Sequence, residues 1–239
     1  MSRGVSPASA RSADRVRFVV TAGPTREPID PVRFLSNRSS GKMGYAIAAA
    51  AIAAGNNVVL VSGPVCLDAP QGAELLRVNT SDEMHDAVHD AVRDCDVLVM
   101  CAAVADYKPA EFRAEKIKKR EEKCALALIA TRDILRSLPH ARDFFVVGFA
   151  AETNNVENNA RAKLRYKNCN MMVANDVSDS AIGMESDENA VTIFFDDGRR
   201  ETISRAPKNM IARALVKIIL ETAQKSFDKK NLRMNDSIT

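Results

Sequence analysis

The stretch that decides the fold spans residues 19–44 and reads VVTAGPTREPIDPVRFLSNRSSGKMG. It begins as a short apolar strand, passes through Gly-Pro-Thr, and closes on Ser-Ser-Gly-Lys-Met-Gly, which opens an alanine-rich helix. Backbone N–H groups in the first turn of a helix have no intrahelical partner, so such a turn binds anionic oxygen well. The order strand, turn, helix therefore predicts a phosphate site at the end of a parallel sheet.

Outward from this stretch, strand and helix signals alternate along the chain. Gly55 is suited to end the first helix, and Thr80 with Glu83 has the spacing of a capping box at the start of another. Apolar runs predict strands at 17–21, 57–62, 75–78, 96–103, 125–130, 144–149 and 170–173, with helices at 43–54, 80–93 and 154–166. Strands that are apolar on both faces and alternate with helices indicate an α/β fold, a Rossmann-like and mostly parallel sheet covered by helices on both faces.

The C-terminal part of the chain has a different pattern. Residues 190–195 and 199–203 flank Asp196-Asp197-Gly198, which predicts a protruding β-hairpin. A long amphipathic helix is expected from Pro207 to about residue 227. The chain is thus predicted to be a disordered leader at 1–15, a single Rossmann-like domain at 16–227 and a polar, frayed tail at 228–239.

Composition excludes several classes of protein. The 239 residues carry a net charge of only +3, and the basic residues are scattered among acids, which argues against nucleic acid as a partner. No run approaches the roughly 18 apolar residues of a membrane span, and the N-terminus has no apolar segment of the secretory kind. Five cysteines without a C-x-x-C pair are typical of reduced thiols. We expect a cytoplasmic protein.

The turn SNRSSGKMG is the first candidate site. Ser36 stands where a Walker A loop needs glycine and Met43 follows Lys42, so it is not a P-loop. As a functional site, the small residues Ser39, Ser40, Gly41 and Gly44 would let a phosphate approach the backbone, and Asn37 would offer an amide to a polar substrate. The alternative is an ordinary loop with a helix cap.

Three more stretches are candidates because they combine small, charged or aromatic residues near predicted strand ends. In CAAVADY at 101–107, Asp106 could bind a ribose hydroxyl, a substrate amide or magnesium, or it could simply cap a strand. The basic cluster EKIKKR at 115–120 is either a solvated face or a source of one lysine that neutralises a leaving polyphosphate. In GFAAET at 148–153, the Phe149 ring could stack on a nucleobase or belong to the core.

The order and spacing of these stretches carry a family resemblance. The blocks TAGPTREPIDPVRFLSNRSSGKMG, SGPV, CAAVADYKP, EKIKK, VGFAAET and VANDVS together resemble bacterial phosphopantothenate–cysteine ligase over about residues 17–220. The resemblance implies a Rossmann-like domain that forms a homodimer, in part through an extended hairpin. In most bacteria this domain follows a flavin-binding decarboxylase. The blocks begin near residue 17, so no flavin is expected in this chain, and a separate phosphopantothenoylcysteine decarboxylase is a possible partner.

The resemblance also implies a reaction in two steps. The carboxylate of 4′-phosphopantothenate attacks the α-phosphorus of CTP and expels pyrophosphate, which gives an acyl-cytidylate. The amine of L-cysteine then attacks the acyl carbon and releases CMP. Mg²⁺ is expected to arrive with CTP, and the sequence leaves its protein ligands open.

Residue roles follow from the same resemblance. Asn37 corresponds to the asparagine that holds the substrate and the acyl-cytidylate, and Lys116 to the lysine needed to form that intermediate. Arg33 corresponds to an arginine that reaches the substrate phosphate of the neighbouring subunit. The implied nucleotide contacts are Ser39, Ser40, Gly41, Gly44, Met100, Cys101, Ala102, Asp106, Lys116, Thr131, Arg132, Asp133, Ile134, Phe149, Lys163 and Lys167, and the implied substrate contacts are Arg33, Asn37, Ala102, Ala103 and Asp106.

The chain departs from the family pattern at one place and leaves two rival functions open. The family usually has Asn-Pro-Asp-Ile where this chain has Thr131-Arg132-Asp133-Ile134, so a proline that stiffens the turn is lost. One rival is an NAD(P)-dependent oxidoreductase, which needs an acidic residue at the end of the second strand, where this chain has Val61-Ser62-Gly63-Pro64. The other is a non-catalytic nucleotide-binding module, against which the presence of both Asn37 and Lys116 speaks.

Overall fold

The computed structural model describes residues 15–119, 124–176 and 185–236, with side chains up to residue 230. Helices and strands alternate through most of the chain, as expected. The strands are β1 (Arg17–Ala22), β2 (Glu27–Pro28), β3 (Phe34–Leu35), β4 (Asn57–Ser62), β5 (Ala73–Arg77), β6 (Val97–Met100), β7 (Tyr107–Pro109), β8 (Leu128–Ala130), β9 (Phe145–Glu152), β10 (Met171–Asp176), β11 (Glu188–Phe195) and β12 (Arg200–Pro207). The helices are α1 (Lys42–Ala53), α2 (Ser81–Ala91), α3 (Ile134–Ser137), α4 (Val156–Tyr166) and α5 (Lys208–Asp236).

Eight of the strands form one sheet in the order β12-β11-β10-β9-β6-β1-β4-β5. The six from β10 to β5 are mutually parallel, and β11 and β12 complete the sheet as an antiparallel edge. The chain starts in the middle at β1, adds β4 and β5 on one side, and then crosses to β6 on the other. The β1/β6 boundary is therefore a topological switch point, where the loops after adjacent strands diverge and leave a crevice.

Helices cover both faces of this sheet, which confirms the predicted fold class. Phe18 and Val20 of β1 point to one face, where they share a core with α1 and α5. Val19 points to the other face, where the core includes residues of α2, α3 and α4. Because both faces are buried, the central strands are apolar at every position rather than at alternate ones.

The predicted hairpin is present, and β11 and β12 are joined through Asp197 and Gly198. Gly198 has φ 90°, which the turn requires and which glycine adopts without strain. The hairpin continues the main sheet, with β11 paired to β10. Most of β12 is exposed.

Several predicted boundaries shift by a few residues, and two predictions are wrong. The strand expected at 96–103 ends at Met100, because the N–H of Cys101 turns back to the Val99 carbonyl at 3.2 Å, and Ala103 then makes only an isolated bridge to Pro24. The buried strand expected at 125–130 is only the three exposed residues of β8, which pairs with β7 in a separate two-stranded sheet. Its apolar side chains misled the prediction, since Leu128 and Ile129 remain nearly half exposed.

The other wrong prediction is the frayed C-terminal tail, since α5 continues nine residues past 227 to Asp236. Residues 228–236 contain no glycine or proline that would end a helix, and Lys230 pairs with Asp143. Residues 1–14 of the expected leader and the last two residues of the VANDVS block lie outside the described part of the chain. No helix in that part is long and apolar enough to cross a membrane.

Close packing of α1 on β1 gives a first testable prediction. A Cβ added at Gly44 would lie 2.6 Å from the Ala22 Cβ and 2.9 Å from the Thr21 carbonyl oxygen, so α1 would have to move away. We expect Gly44→Ala to lower the free energy of unfolding by about 1–3 kcal/mol, measured by urea denaturation. Ala49→Ser, at an exposed position of the same helix, is the control and should change it by less than about 0.5 kcal/mol. Equal unfolding midpoints for the two variants would contradict the packing argument.

Candidate functional site: a cavity at the switch point

A cavity of about 530 Å³ opens at the carboxyl ends of the parallel strands, at the β1/β6 switch point. The first turn of α1 and the loop after β6 contribute to its wall, and β9, β10 and α4 contribute further residues. The lining is Asn37, Ser39, Ser40, Gly41, Lys42, Met43, Gly44, Met100, Cys101, Ala102, Ala103, Val104, Ala105, Asp106, Thr131, Arg132, Asp133, Ile134, Leu135, Phe149, Ala151, Lys163, Lys167, Asn175, Asn189 and Lys208.

The loops after β1 and β6 are hydrogen-bonded to each other. Thr25 donates its N–H to the Ala103 carbonyl at 3.3 Å. Two buried threonines add side-chain bonds, since Thr21 Oγ1 accepts the N–H of Ala102 and Thr25 Oγ1 accepts that of Ala105, each at 3.0 Å. The backbone around the cavity is thus fixed by bonds between residues about 80 positions apart.

Asn37 lies where these two loops meet the phosphate-type turn. Its Nδ2 donates to the Ala103 carbonyl at 2.5 Å, and its Oδ1 accepts the N–H of Ser39 at 3.0 Å. One amide therefore binds the β6 loop on one side and the turn before α1 on the other. This position lets Asn37 orient both the turn and a polar group in the cavity.

The start of α1 has the geometry of an anion site. Gly41 precedes the helix with φ 77°, and as a glycine it has no side chain with which to cap the first turn. The positive end of the helix dipole and the unpaired N–H groups of this turn lie beside the cavity, because residues 41–44 all line it. The turn thus lies where an anion-binding turn would have to be, and anion binding itself stays a prediction.

Four lysines line the cavity and bring positive charge to it. Lys163 pairs with Glu152 at 2.7 Å, Lys167 with Asp133 at 3.8 Å, and Lys42 with Asp187 at 2.6 Å. The fourth, Lys208, is almost fully buried and donates to the Ser186 carbonyl. Burial lowers the pKa of its ammonium group, and the neighbouring Lys42 lowers it further.

The turn that lacks the family's proline is held by hydrogen bonds and ion pairs. Thr131 donates its N–H to the Asp106 carbonyl at 2.9 Å and its hydroxyl to the Ala105 carbonyl at 2.6 Å. The Arg132 guanidinium pairs with Asp82 at 3.1 Å and with Asp86 at 3.0 Å, both on α2. These contacts tie the turn to the β6 loop and to a neighbouring helix.

All but two of the predicted site residues lie in the cavity wall. The exceptions are Lys116, which is exposed in the segment between β7 and β8, and Arg33, which pairs with Asp30 at 2.5 Å. Sequence reasoning missed Lys42, Met43, Val104, Ala105, Leu135, Ala151, Asn175, Asn189 and Lys208. The sequence did contain a signal for the position of Lys208. Pro207 directly precedes an amphipathic helix, which predicts that Lys208 lies in the first turn of that helix.

A parallel α/β sheet with a helix start and cations around a switch-point cavity defines a Rossmann-like protein suited to bind a phosphorylated ligand. Within that class, the chain belongs to the family described as the DNA/pantothenate metabolism flavoprotein C-terminal domain, whose model matches residues 13–223.

Relatives and solved structures agree with this family. The chain is 43% identical over 223 residues to the coenzyme A biosynthesis bifunctional protein CoaBC of Escherichia coli K12. This match covers 91% of this chain and 54% of the relative. It is 47% identical over 187 residues to CoaBC of Bacillus subtilis, and that match covers 77% of this chain and 46% of the relative. The chain thus spans about half the length of these relatives. A crystal structure of the CoaBC C-terminal domain is 40% identical with a TM-score of 0.76, and the match covers 88% of this chain and 96% of that one.

Cysteine burial gives a prediction that tests the cavity wall. Burial raises the pKa of the Cys95, Cys101 and Cys169 thiols to about 12, although Cys101 is only partly buried at the cavity wall, whereas Cys66 and Cys124 are exposed. The thiolate is the reactive form. A short iodoacetamide treatment at pH 8 should therefore label Cys66 and Cys124 and spare the other three until urea is added. Peptide mass spectrometry reads the outcome, and rapid labelling of Cys101 in the folded protein would contradict the raised pKa of its thiol.

Proposed function

We propose that this chain is a phosphopantothenate–cysteine ligase of coenzyme A biosynthesis that uses CTP. The observation that carries the proposal is Asn37, held between the β6 loop and the anion-binding start of α1 at the wall of the cavity. The family membership and the CoaBC relatives support the same activity. As an enzyme of this pathway, it is expected in the cytoplasm.

The residues fit the charges that such a reaction develops. In the first step the substrate carboxylate attacks the α-phosphorus of CTP, and negative charge grows on the departing pyrophosphate. The helix start at residues 41–44 and the lysines Lys163 and Lys167 are placed to stabilise phosphate oxygens, and the Phe149 ring to stack on the base. In the second step the cysteine amine attacks the acyl carbon, and Asn37 would hold the acyl-cytidylate in place.

Mg²⁺ fits this cavity as a companion of the triphosphate. No group of three metal-ligating side chains exists among the described residues, and Mg²⁺ commonly binds through one or two carboxylates together with substrate phosphates. Asp106 is an exposed carboxylate at the cavity wall that would hold it, and Asp133 is engaged with Lys167. When bound, the ion would neutralise phosphate charge.

Two residues of the proposed mechanism lie outside the cavity wall. Lys116, needed for the first step, lies outside the cavity wall, so its exposed side chain would have to turn towards the bound nucleotide. Arg33 also lies outside that wall and would serve the substrate phosphate of a neighbouring subunit in a homodimer. A phosphopantothenoylcysteine decarboxylase is the enzyme that would use the product.

Pyrophosphate release tests the proposed function directly. The purified protein is given Mg²⁺, 4′-phosphopantothenate and either CTP or ATP, with and without L-cysteine. We expect release that requires phosphopantothenate and prefers CTP, with CMP and phosphopantothenoylcysteine formed once cysteine is added. If pyrophosphate is released with neither nucleotide, the proposed ligase activity is wrong, and a non-catalytic binding module with the same fold is favoured.

The catalytic lysine can be tested against a lysine of the same exposed cluster. We expect Lys116→Ala to lower the rate of pyrophosphate release at least about 100-fold, because an electrostatic contact to the transition state is lost. The control Lys119→Ala should stay within about twofold, since a solvated lysine loses only screened charge. Equal losses in the two variants would mean that only the overall charge of the segment matters.

Arg132 is tested by restoring the family's residue. Arg132→Ala removes the ion pairs to Asp82 and Asp86 and should raise the KM for CTP by about 3–10-fold. Arg132→Pro also removes the pairs but stiffens the turn by fixing φ, so its KM should stay close to that of the parent. If both variants lose affinity equally, Arg132 acts on the nucleotide itself and not by holding the turn.

A further inference from the structure

Asp30 is a buried carboxylate outside the cavity that binds two separate parts of the chain. Its side chain has no exposed area. Oδ1 accepts the N–H groups of Val32 and Arg33, each at 2.9 Å. Oδ2 accepts Nε of Arg33 at 3.0 Å, a second guanidinium nitrogen at 2.5 Å and the N–H of Ile117 at 3.1 Å.

The bond to Ile117 reaches across 87 positions to the residue that follows Lys116. Arg33 binds the same residue from the other side, since its guanidinium donates to the Ile117 carbonyl at 3.0 Å. A third bond joins the N–H of Arg113 to the Ile29 carbonyl at 3.0 Å. The segment around Lys116 is therefore docked on the turn formed by residues 29–33.

The charge of Asp30 is what suits it to this position. Two of its five donors belong to a cationic guanidinium, and charge-assisted hydrogen bonds are about twice as strong as neutral ones. The hydrogen bonds from Arg33 hold the pKa of the Asp30 carboxyl well below its usual range. An asparagine of the same shape would keep only one acceptor oxygen and would place an amide against the guanidinium.

We propose that Asp30 is a positioning residue that holds the Arg33 guanidinium and the Lys116 segment in one fixed arrangement. The proposal deepens the ligase assignment and rests on it for the roles of Arg33 and Lys116. Asp30 acts through these residues and lies outside the cavity wall. Arg33 would contact the substrate phosphate in the active site of a neighbouring subunit, and Lys116 would act in the active site of its own subunit. The carboxylate of Asp30 would therefore link two active sites.

The docking role is tested first by a measurement that needs no activity. Limited trypsin digestion is followed at the bonds after Lys116, Lys118 and Lys119 in the full chain. We expect Asp30→Asn to raise their cleavage rate at least about fivefold, because local opening becomes easier. Asp197→Asn is the matched control. It weakens a similar pair, in which Asp197 accepts Nε and N–H of Arg199 at the hairpin turn, and it should leave cleavage at 116–119 unchanged.

A second variant covers the case in which Asp30→Asn does not fold. Arg33→Gln keeps the buried carboxylate and its bond to Ile117 and removes the guanidinium, which is half exposed. It should raise the same cleavage rate by about twofold or more, because one of the two bonds to Ile117 is lost. Unchanged cleavage at 116–119 in every variant that folds would overturn the proposal.

Kinetics then separate positioning from a merely structural role. Asp30→Asn should lower kcat for pyrophosphate release by about 10–100-fold through the displaced Lys116 and raise the KM for phosphopantothenate through the displaced Arg33. A loss of kcat that matches the loss of folded protein, with KM unchanged, would show a structural role only. If the parent protein releases no pyrophosphate, the ligase assignment fails, and the digestion still decides whether Asp30 docks the segment.

Discussion

The cavity depends on the hydrogen bonds between the loop after β1 and the loop after β6. Neighbouring parallel strands at a switch point send their chains to opposite sides, so the two loops separate unless side chains and backbone join them. Here Thr21, Thr25 and Asn37 supply three of these bonds. Their bonds set the width of the crevice and the entry of α1. The start of α1 could bind an anion in the cavity only because this arrangement places it at the cavity wall.

Three of the four cavity lysines are paired with carboxylates, and these pairs affect how a phosphate group would bind. Lys42, Lys163 and Lys167 each pair with an acid, and these lysines are about a third to nearly half exposed. The exposed ion pairs of Lys42 and Lys167 are worth about 0–1 kcal/mol, so a phosphate group can replace their carboxylates at little loss. The carboxylate of Glu152 is only 11% exposed, so it would lose Lys163 at a larger cost. The pairs keep several like charges close together around one cavity, and they place the lysine side chains before any ligand arrives.

Local signals predicted the centre of this protein well, and long-range contacts account for the rest. The turn at residues 37–44 could be located because its glycines, its serines and the helix that follows are all adjacent in the sequence. The strand expected at 125–130 was wrong because its apolar side chains stay exposed in a separate two-stranded sheet. The periodicity of the sequence does not show that an apolar strand lies outside the main sheet. The link between Asp30 and Ile117 could not be predicted either, since it joins residues 87 positions apart in two loops.

The turn at residues 131–134 shows how the same rigidity can come from different chemistry. A proline stiffens a turn from within, by fixing its own φ. In this chain the stiffness comes from outside, through Thr131 to the β6 loop and through Arg132 to two acids of α2. Asp82 also pairs with Lys108 of β7, so α2 holds both ends of the segment between β7 and β8. The turn therefore depends on α2, whose residues do not line the cavity. Substitutions on α2 would then change ligand binding without contacting the ligand.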